Sequence, residues 1–414
     1  MNKTLQLLTD RGFLKACTDI DALSDLMDKG PVKFYLGVDP TGRSLHIGHM
    51  VPFFAMHHLQ EAGHQPIALV GAGTAMIGDP SGKTEMRKML TADQVKENSV
   101  HLKDQLSKII DFSETPAPGL GKAIMRNNAD WLLKLNYIDF LREIGSQFSV
   151  NRMLTFESYK QRLERGLSFI EFNYQLLQSY DFLMLSRAEG ARLQIGGDDQ
   201  WGNIVAGIDL IRKMDEKECY GLTFNLITRS DGKKMGKSEK GAIFLDPELC
   251  SVYDFYQYWR NVTDDDVLKF MKLFTFLPLE EIESYRNVNP NEAKERLAYE
   301  VTKLLHSEEA AQQARSAAKA AFGGEGGNLE HVPTAELSKD LFEGEGALAV
   351  DVFASTALCK TKSEARRLIQ EGGAVINDSK ISDVAARIDS SWLDEDGCLM
   401  LKAGKKRFFR VKAI

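Results

Sequence analysis

A β-branched and aromatic run that stops at Asp39-Pro40-Thr41-Gly42 constrains this chain more than any other feature. Val32, Phe34, Leu36 and Val38 alternate with other residues, which predicts a strand, and the Asp-Pro-Thr-Gly turn chemistry ends it. Helical sequence follows. Pro52 is comfortable only in a first helical turn, so the helix is expected to begin a few residues earlier and to leave amides near Gly48 unpaired. Such a helix end attracts anions, so strand, loop and helix together read as a phosphate-facing entry to an α/β domain. His46 and His49, three residues apart, stand beside it as donors of adjustable charge. Taken alone, two histidines equally fit a surface accident or half a metal site. Zinc needs further ligands, and the chain contains neither His-Glu-x-x-His nor Cys-x-x-Cys, so no metal ligands are assigned.

The chain has 414 residues, 43% of them apolar, which suits two or three domains of a soluble globular protein. Residues 1–28 mix charged and apolar side chains without the core of a signal peptide, and no run approaches a membrane span. A cytoplasmic location is therefore expected. Five scattered cysteines, Cys17, Cys219, Cys250, Cys359 and Cys398, fit reduced thiols. The net charge of −7 argues against wholesale coating by nucleic acid, so any RNA contact must be local.

Residues 65–71 read as a second strand, ending in a glycine-rich turn at Gly71 to Gly73, and residues 192–197 as a third, ending at Gly197. Between them, helices are expected over 93–106, 131–147, 153–165 and 167–185. The dinucleotide fingerprint fails because its third glycine would fall at Met76, and the Walker pattern fails because its first would fall at Ile77. What remains near them is a loop with Asp79, Lys83 and Arg87. In the fourth helix Tyr174, Gln178 and Asp181 fall at i, i+4 and i+7 of an otherwise apolar segment. That stripe faces either a satisfied polar core or a small polar ligand. Open α/β sheets bind ligands at the carboxyl ends of their strands, which gathers Tyr35, Asp39, Gly73, Asp79, Asp199 and Gln200 around one crevice. The helices over 131–147 and 153–165 carry ordinary apolar stripes and are assigned no chemistry.

A basic loop, Arg229 to Glu239, follows with glycines at Gly232 and Gly236; residues 264–321 then keep a helical period. Gly323 to Gly327 reads as a hinge, and residues 340–346 remain acidic and glycine-rich. Residues 347–414 hold 12 Lys or Arg and 9 Asp or Glu, net +3, which leaves −10 for the first 346. Residues 361–373 read as a capped helix exposing Arg366 and Arg367, with strands over 374–378 and 408–411.

His46-Ile-Gly-His49 and Lys234-Met-Gly-Lys-Ser238, about 190 residues apart and in that order, resemble the paired signatures of class I aminoacyl-tRNA synthetases. With the Tyr-x-x-x-Gln-x-x-Asp helix, Gln194-Ile-Gly-Gly-Asp-Asp-Gln-Trp-Gly-Asn203 and the basic C-terminus, the whole chain resembles the bacterial tyrosyl-tRNA synthetases. The resemblance implies an α/β architecture: a Rossmann-like catalytic domain with a parallel sheet over 1–228 and a helical insertion at about 116–190. An α-helical domain over 229–322, a linker over 323–346 and a small α+β RNA-binding domain over 347–414, similar to one found in a ribosomal protein, complete it.

The resemblance also implies a reaction: ATP activates tyrosine as an adenylate, and a tRNA ribose hydroxyl then takes the tyrosyl group. It places Tyr35 and Asp181 on the phenol, Asp79, Tyr174 and Gln178 on the ammonium group, and Gln200 beside the substrate. His46, His49, Lys83, Arg87, Lys234, Lys237 and Ser238 would neutralise phosphate charge, while Asp39, Thr41, Gly48, Gly197 and Asp199 would contact ATP, with Mg²⁺ held mainly by water and phosphate oxygens. Arg366, Arg367, Lys405, Lys406 and Arg407 would grip tRNA, and a homodimer is expected. Leu36 stands where a cysteine is common, and Gly236 where the loop signature has a serine. A related nucleotidyltransferase would not need the helical and RNA-binding parts. A tryptophan-specific relative would not require an acid at Asp181, and a non-catalytic descendant would have lost its signature histidines or lysines.

Overall fold

The computed structural model describes residues 1–81, 90–164, 166–228, 230, 235–238, 241–321, 334–377, 379–394, 396–404 and 407–414, with backbone only at 161, 237, 238, 320 and 321. Lys83, Arg87, Lys234, Lys405, Lys406, the hinge at 323–327 and the side chains of Lys237 and Ser238 thus lie outside the described residues. Two compact units emerge, Met1–Ser251 with Tyr258–His306, and Val252–Gln257 with Ser307–Ile414. Among the described residues no helix is long and apolar enough to cross a membrane.

The first unit is built on a six-stranded sheet: β1 (Leu14–Cys17), β2 (Lys33–Val38), β3 (Gln65–Val70), β4 (Ile124–Asn127), β5 (Leu193–Gly197) and β6 (Tyr220–Phe224). Their spatial order is β1-β6-β5-β2-β3-β4, parallel except for β1, which runs antiparallel to β6. Pro66 to Val70 are all buried, the continuous apolar run of a strand covered on both faces. From β2 the chain builds outward through β3 and β4, then returns to add β5 and β6 on the other side. The order reverses between β2 and β5, the crevice position of such sheets.

The helices follow local chemistry. Val51–Glu61 carries Pro52 in its first turn, where the missing N–H costs nothing. Phe169–Glu189 opens on a reciprocal Ser168–Glu171 capping box and closes on Gly190 at φ +75°, a left-handed position suited to glycine. Trp201–Asp215 packs beside it. Two helices expected in one piece are broken: residues 131–147 divide among Ala129–Leu132, Tyr137–Glu143 and a 3₁₀ turn, and 153–165 into Val150–Met153 and Glu157–Leu163. Asn136 interrupts the first by capping Tyr137–Glu143, its Oδ1 accepting from Ile138 N–H. The helices Asp264–Phe274, Leu279–Ser284 and Pro290–Leu305 complete this unit. Arg11 holds it together by donating to the carbonyls of Lys272, Thr275 and Leu277 at 2.7–3.0 Å.

In the second unit a five-stranded sheet runs Ser379–Ile381, Ala374–Ile376, Cys398–Ala403, Arg407–Ala413, Thr334–Leu337. Residues 334–337, read from composition as linker, are instead an edge strand paired in parallel with Arg407–Ala413, Thr334 opposite Arg410. The helix Lys362–Gln370, capped by Thr361, leaves Arg366 and Arg367 exposed. Arg407 is half-buried and donates to Leu358 O at 3.1 Å.

Candidate active site

Asp39 follows β2, Gly71 follows β3, Asn128 follows β4 and Asp198–Gln200 follow β5, so four strand ends deliver polar residues to one crevice. Asp39 accepts from Tyr174 Oη through Oδ2 and from Thr74 Oγ1 through Oδ1, each at 2.8 Å. The chain at Gly71 runs so close that a Cβ there would lie 2.0 Å from Asp39 Oδ1, so this turn requires glycine. Asn128, with no exposed surface, accepts from Gly73 N–H at 2.7 Å and directs its Nδ2 to Thr74 Oγ1 and Asp181 Oδ2, each at 2.9 Å. Trp131 Nε1–H donates to the other oxygen, Oδ1, at 2.7 Å.

Asp181 thus holds two donors in an interior where an unpaired carboxylate would be expelled or protonated. Burial nevertheless pushes its pKa up to about 7, the bonds from Asn128 and Trp131 opposing and the charge of Asp39 adding to the rise. Beside it Tyr35, 1% exposed, leaves its hydroxyl without a partner among the described residues. Burial, then the negative charge of Asp181, raises the Tyr35 phenol well above its ordinary value, so it stays protonated. A carboxylate beside an unpartnered phenol can receive one hydroxyl as donor and acceptor at once.

A second cluster lies between the helices Phe169–Glu189 and Trp201–Asp215. Asp79 is buried and accepts from Ser81 N–H at 2.9 Å and Gln200 Nε2 at 2.8 Å; burial raises its pKa. Gln200 Nε2 also reaches Asp199 Oδ2 at 3.1 Å, and its Oε1 accepts from Gln178 Nε2 at 3.3 Å. Asn203 Nδ2 fixes the amide of Gln178 at 2.9 Å and bridges to Gln200 Oε1 at 3.2 Å. Carboxylates and amide oxygens clustered in this way can hold an ammonium group. Gly197 precedes the 3₁₀ turn Asp198–Gln200, and a Cβ on it would stand 2.5 Å from Asp199 Oδ1. Thr41 is exposed, its N–H on Asp39 O at 2.8 Å.

The paired signatures meet directly. Ile47 N–H donates to Ile243 O at 3.1 Å and Ile243 N–H to Gly236 O at 2.8 Å, bringing Met235-Gly236 onto Gly48. A Cβ on Gly236, whose φ is +80°, would lie 2.8 Å from Gly48 N, and one on Gly48 would lie 3.1 Å from Met235 O. The amide of Gly48, expected to be unpaired, instead donates to His46 Nδ1 at 3.1 Å, because the histidine ring folds back as the cap. With Nδ1 accepting, a neutral His46 carries its proton on Nε2. The His46 and His49 rings stack at 3.6 Å.

A family model for tRNA synthetases class I (W and Y) matches residues 27–323, and one for the tyrosine–tRNA ligase SYY-like C-terminal domain matches 327–411. A tyrosine–tRNA ligase of Treponema denticola is 58% identical over 411 residues, covering 99% of each chain. The chain belongs to the tyrosine–tRNA ligase family. A tyrosine–tRNA ligase of Clostridium botulinum is 53% identical over 414 residues, again covering 99% of each chain. Among solved structures, a C-terminally truncated Aspergillus nidulans mitochondrial tyrosyl-tRNA synthetase superposes with a TM-score of 0.67 at 29% identity, over 75% of this chain and 92% of that one.

Against that family frame, Tyr35, Asp79, Tyr174, Gln178, Asp181 and Gln200 lie in the two linked clusters, and His46, Gly48 and His49 at the signature contact. Sequence reasoning missed three polar members. Trp131 sat in a segment assigned no chemistry, and Asn128 carried no motif. Asn203 closes the quoted Gln194–Asn203 stretch without a role, although an amide one turn beyond Gln200 was a usable signal.

Proposed function

We propose a division of labour for a chain that is, by its family, an ATP-dependent tyrosine–tRNA ligase. Asp181 and Tyr35 receive the phenol hydroxyl of L-tyrosine, while Asp79, Tyr174 and Gln178 hold its ammonium group and Gln200 and Asn203 keep those groups in register. The observation that carries this reading is the doubly bonded Asp181 carboxylate beside an unpartnered Tyr35 hydroxyl.

The tyrosine carboxylate is ionised at neutral pH and attacks the α-phosphate of ATP without a base, releasing diphosphate. What the protein adds is alignment and neutralisation of phosphate charge. His46 donates through Nε2, His49 stacks on it, and Lys83, Arg87, Lys234, Lys237 and Ser238 neutralise the charge of the triphosphate. Thr41, Gly48, Gly197 and Asp199 contact the nucleotide. Asp39 is the least direct of these, because both its oxygens already hold hydroxyls. Mg²⁺ accompanying ATP would be held by phosphate oxygens and water and would supply further positive charge against the triphosphate. The terminal ribose hydroxyl of tRNA(Tyr) then takes the tyrosyl group, while residues 347–414 grip the tRNA through Arg366, Arg367, Lys405, Lys406 and Arg407, and Arg407 also braces its own domain.

The enzyme works in the cytoplasm as a homodimer. Supporting the dimer are Leu133, Tyr137, Ile138, Val150 and Phe169, each more than half exposed within one segment of chain. Sedimentation of a monomer at micromolar concentration would refute it. The deciding experiment for the substrate is diphosphate exchange with each of the twenty amino acids. Tyrosine should exchange far above the rest; stronger exchange with tryptophan, or with any other, would overturn the assignment.

A further inference from the structure

A cavity of about 140 Å³ opens between the helices Phe169–Glu189 and Trp201–Asp215, away from the polar crevice. Phe148, Met153, Phe156, Ala206 and Leu210 give it apolar walls, and Gln175 lines it as well. Gln175 has no exposed surface, and neither its Nε2 nor its Oε1 has a partner among the described residues. An amide buried without partners costs about 1–3 kcal/mol per unsatisfied group, a penalty proteins rarely leave standing. Its neighbours on the same helix do not share the defect: Tyr174 and Gln178 are bonded into the crevice.

We propose that this cavity is a binding site for a small, neutral, single-ring compound carrying an amide or lactam edge. Four features of the site select that chemistry. Its volume is close to the roughly 150 Å³ of an engineered cavity that takes up benzene, so one ring fits and two do not. Two of its walls are aromatic, which favours a flat apolar body. The free donor and acceptor of one amide are complemented by a C=O and an N–H side by side. The ions at the rim are engaged, Arg152 with Asp209 at 2.5 Å and Lys213 with Gln147 O, so no ligand charge is called for. Water is the competing occupant, since Gln147, Ser149 and Asp209 also line the cavity, and a crystal soak decides between the two. The site is distinct from the tyrosine crevice: none of Tyr35, Asp79, Tyr174, Gln178, Asp181, Gln200 or Asn203 lines it.

The test is titration calorimetry of the full-length protein with benzamide, matched by a crystal soak in the same compound. A dissociation constant on the order of 1 mM or tighter is expected, which is within reach of a nine-atom ligand. The soak should place the carboxamide on the Gln175 amide. Gln175→Met keeps the shape and removes the hydrogen bonds, so it should weaken benzamide at least tenfold while leaving toluene binding unchanged. Ala206→Leu, filling the cavity from the opposite helix, should abolish both. Undiminished tyrosine-dependent exchange by each variant certifies that it is folded. Ordered water on Gln175 in the soaked crystal, no measurable heat with the wild type, or equal benzamide affinity in Gln175→Met would each overturn the proposal.

Discussion

Trp131 Nε1 stands 2.7 Å from Asp181 Oδ1, while Asn128 Nδ2 stands 2.9 Å from the other oxygen. The residue expected to read the substrate's phenol is thus itself held by two side chains outside any signature. Hydrogen bonds to a charged group contribute about 1.5–3 kcal/mol. Trp131→Phe removes one while keeping an aromatic ring in place, so tyrosine affinity at pH 7 should fall roughly tenfold to a hundredfold. Equilibrium dialysis gives the affinity; diphosphate exchange with phenylalanine should change far less, which narrows the discrimination ratio.

The Asp181 pKa of about 7 makes tyrosine binding pH-dependent. A phenol that donates to Asp181 needs the carboxylate ionised, so binding is strong above about pH 7 and weakens as pH falls. At pH 6 about one tenth of the ligand-free sites are ionised, and the dissociation constant should be roughly tenfold above its plateau at pH 8. In the ligand-free protein the sign is opposite. Because the folded value lies above the unfolded 3.8, the stability associated with a protonated Asp181 is present below about pH 4 and is lost as pH rises through about 7. Tyrosine should therefore raise the Tm more at pH 8 than at pH 6; equal shifts would show that the phenol does not donate to Asp181.

Gly236 has φ +80°, and a Cβ on it would lie 2.8 Å from Gly48 N. Gly236→Ala strains the backbone and pushes the lysine-bearing loop off the histidine signature. Single-turnover adenylate formation should slow at least tenfold, while tyrosine dissociation constants stay within twofold, since a Cβ on Gly236 would meet Gly48 and Ile47 of the histidine signature first. A loss of tyrosine affinity instead would relocate the loop.

Arg366→Ala with Arg367→Ala should raise the KM for tRNA and flatten its dependence on salt, because each cation lost from a phosphate contact releases one counterion fewer. Both side chains are exposed on the helix Lys362–Gln370, so the fold should survive. Diphosphate exchange should be unchanged. An unaltered salt slope would remove these residues from the RNA contact.

Of the three strands that end in ligand-facing loops, β3 was legible as a continuous apolar run closed by glycine, β2 as an apolar alternation stopped by Asp39-Pro40, and β5 by the glycines at its end. The Tyr174, Gln178 and Asp181 stripe was legible because helical spacing is rigid. What escaped were β1, β4 and β6, each of 4 or 5 residues. Pattern in so short a strand carries little information without a turn signal such as the glycines that end β5, and tertiary pairing decides. The linking residues escaped for a related reason. Asn128 and Trp131 act through partners about 50 positions away, and nothing local distinguishes a tryptophan that fills a core from one that aims its N–H at a carboxylate. The capping role of His46 was hidden likewise, since a loop histidine reads as a ligand-binding donor until its ring is seen on Gly48 N–H.

The parallel pairing of Thr334–Leu337 with Arg407–Ala413 sets an order of events during synthesis. Residue 334 leaves the ribosome 76 residues before its partner, Arg410. At about 5–20 residues per second, that is a wait of roughly 4–15 s. Throughout that interval residues 334–337 have no strand to join, and Cys398–Ala403, once made, keeps one edge open. Nascent chains stalled before residue 407 should therefore hold a protease-sensitive C-terminal region beside a folded catalytic body, and extension past residue 413 should close it in a single step.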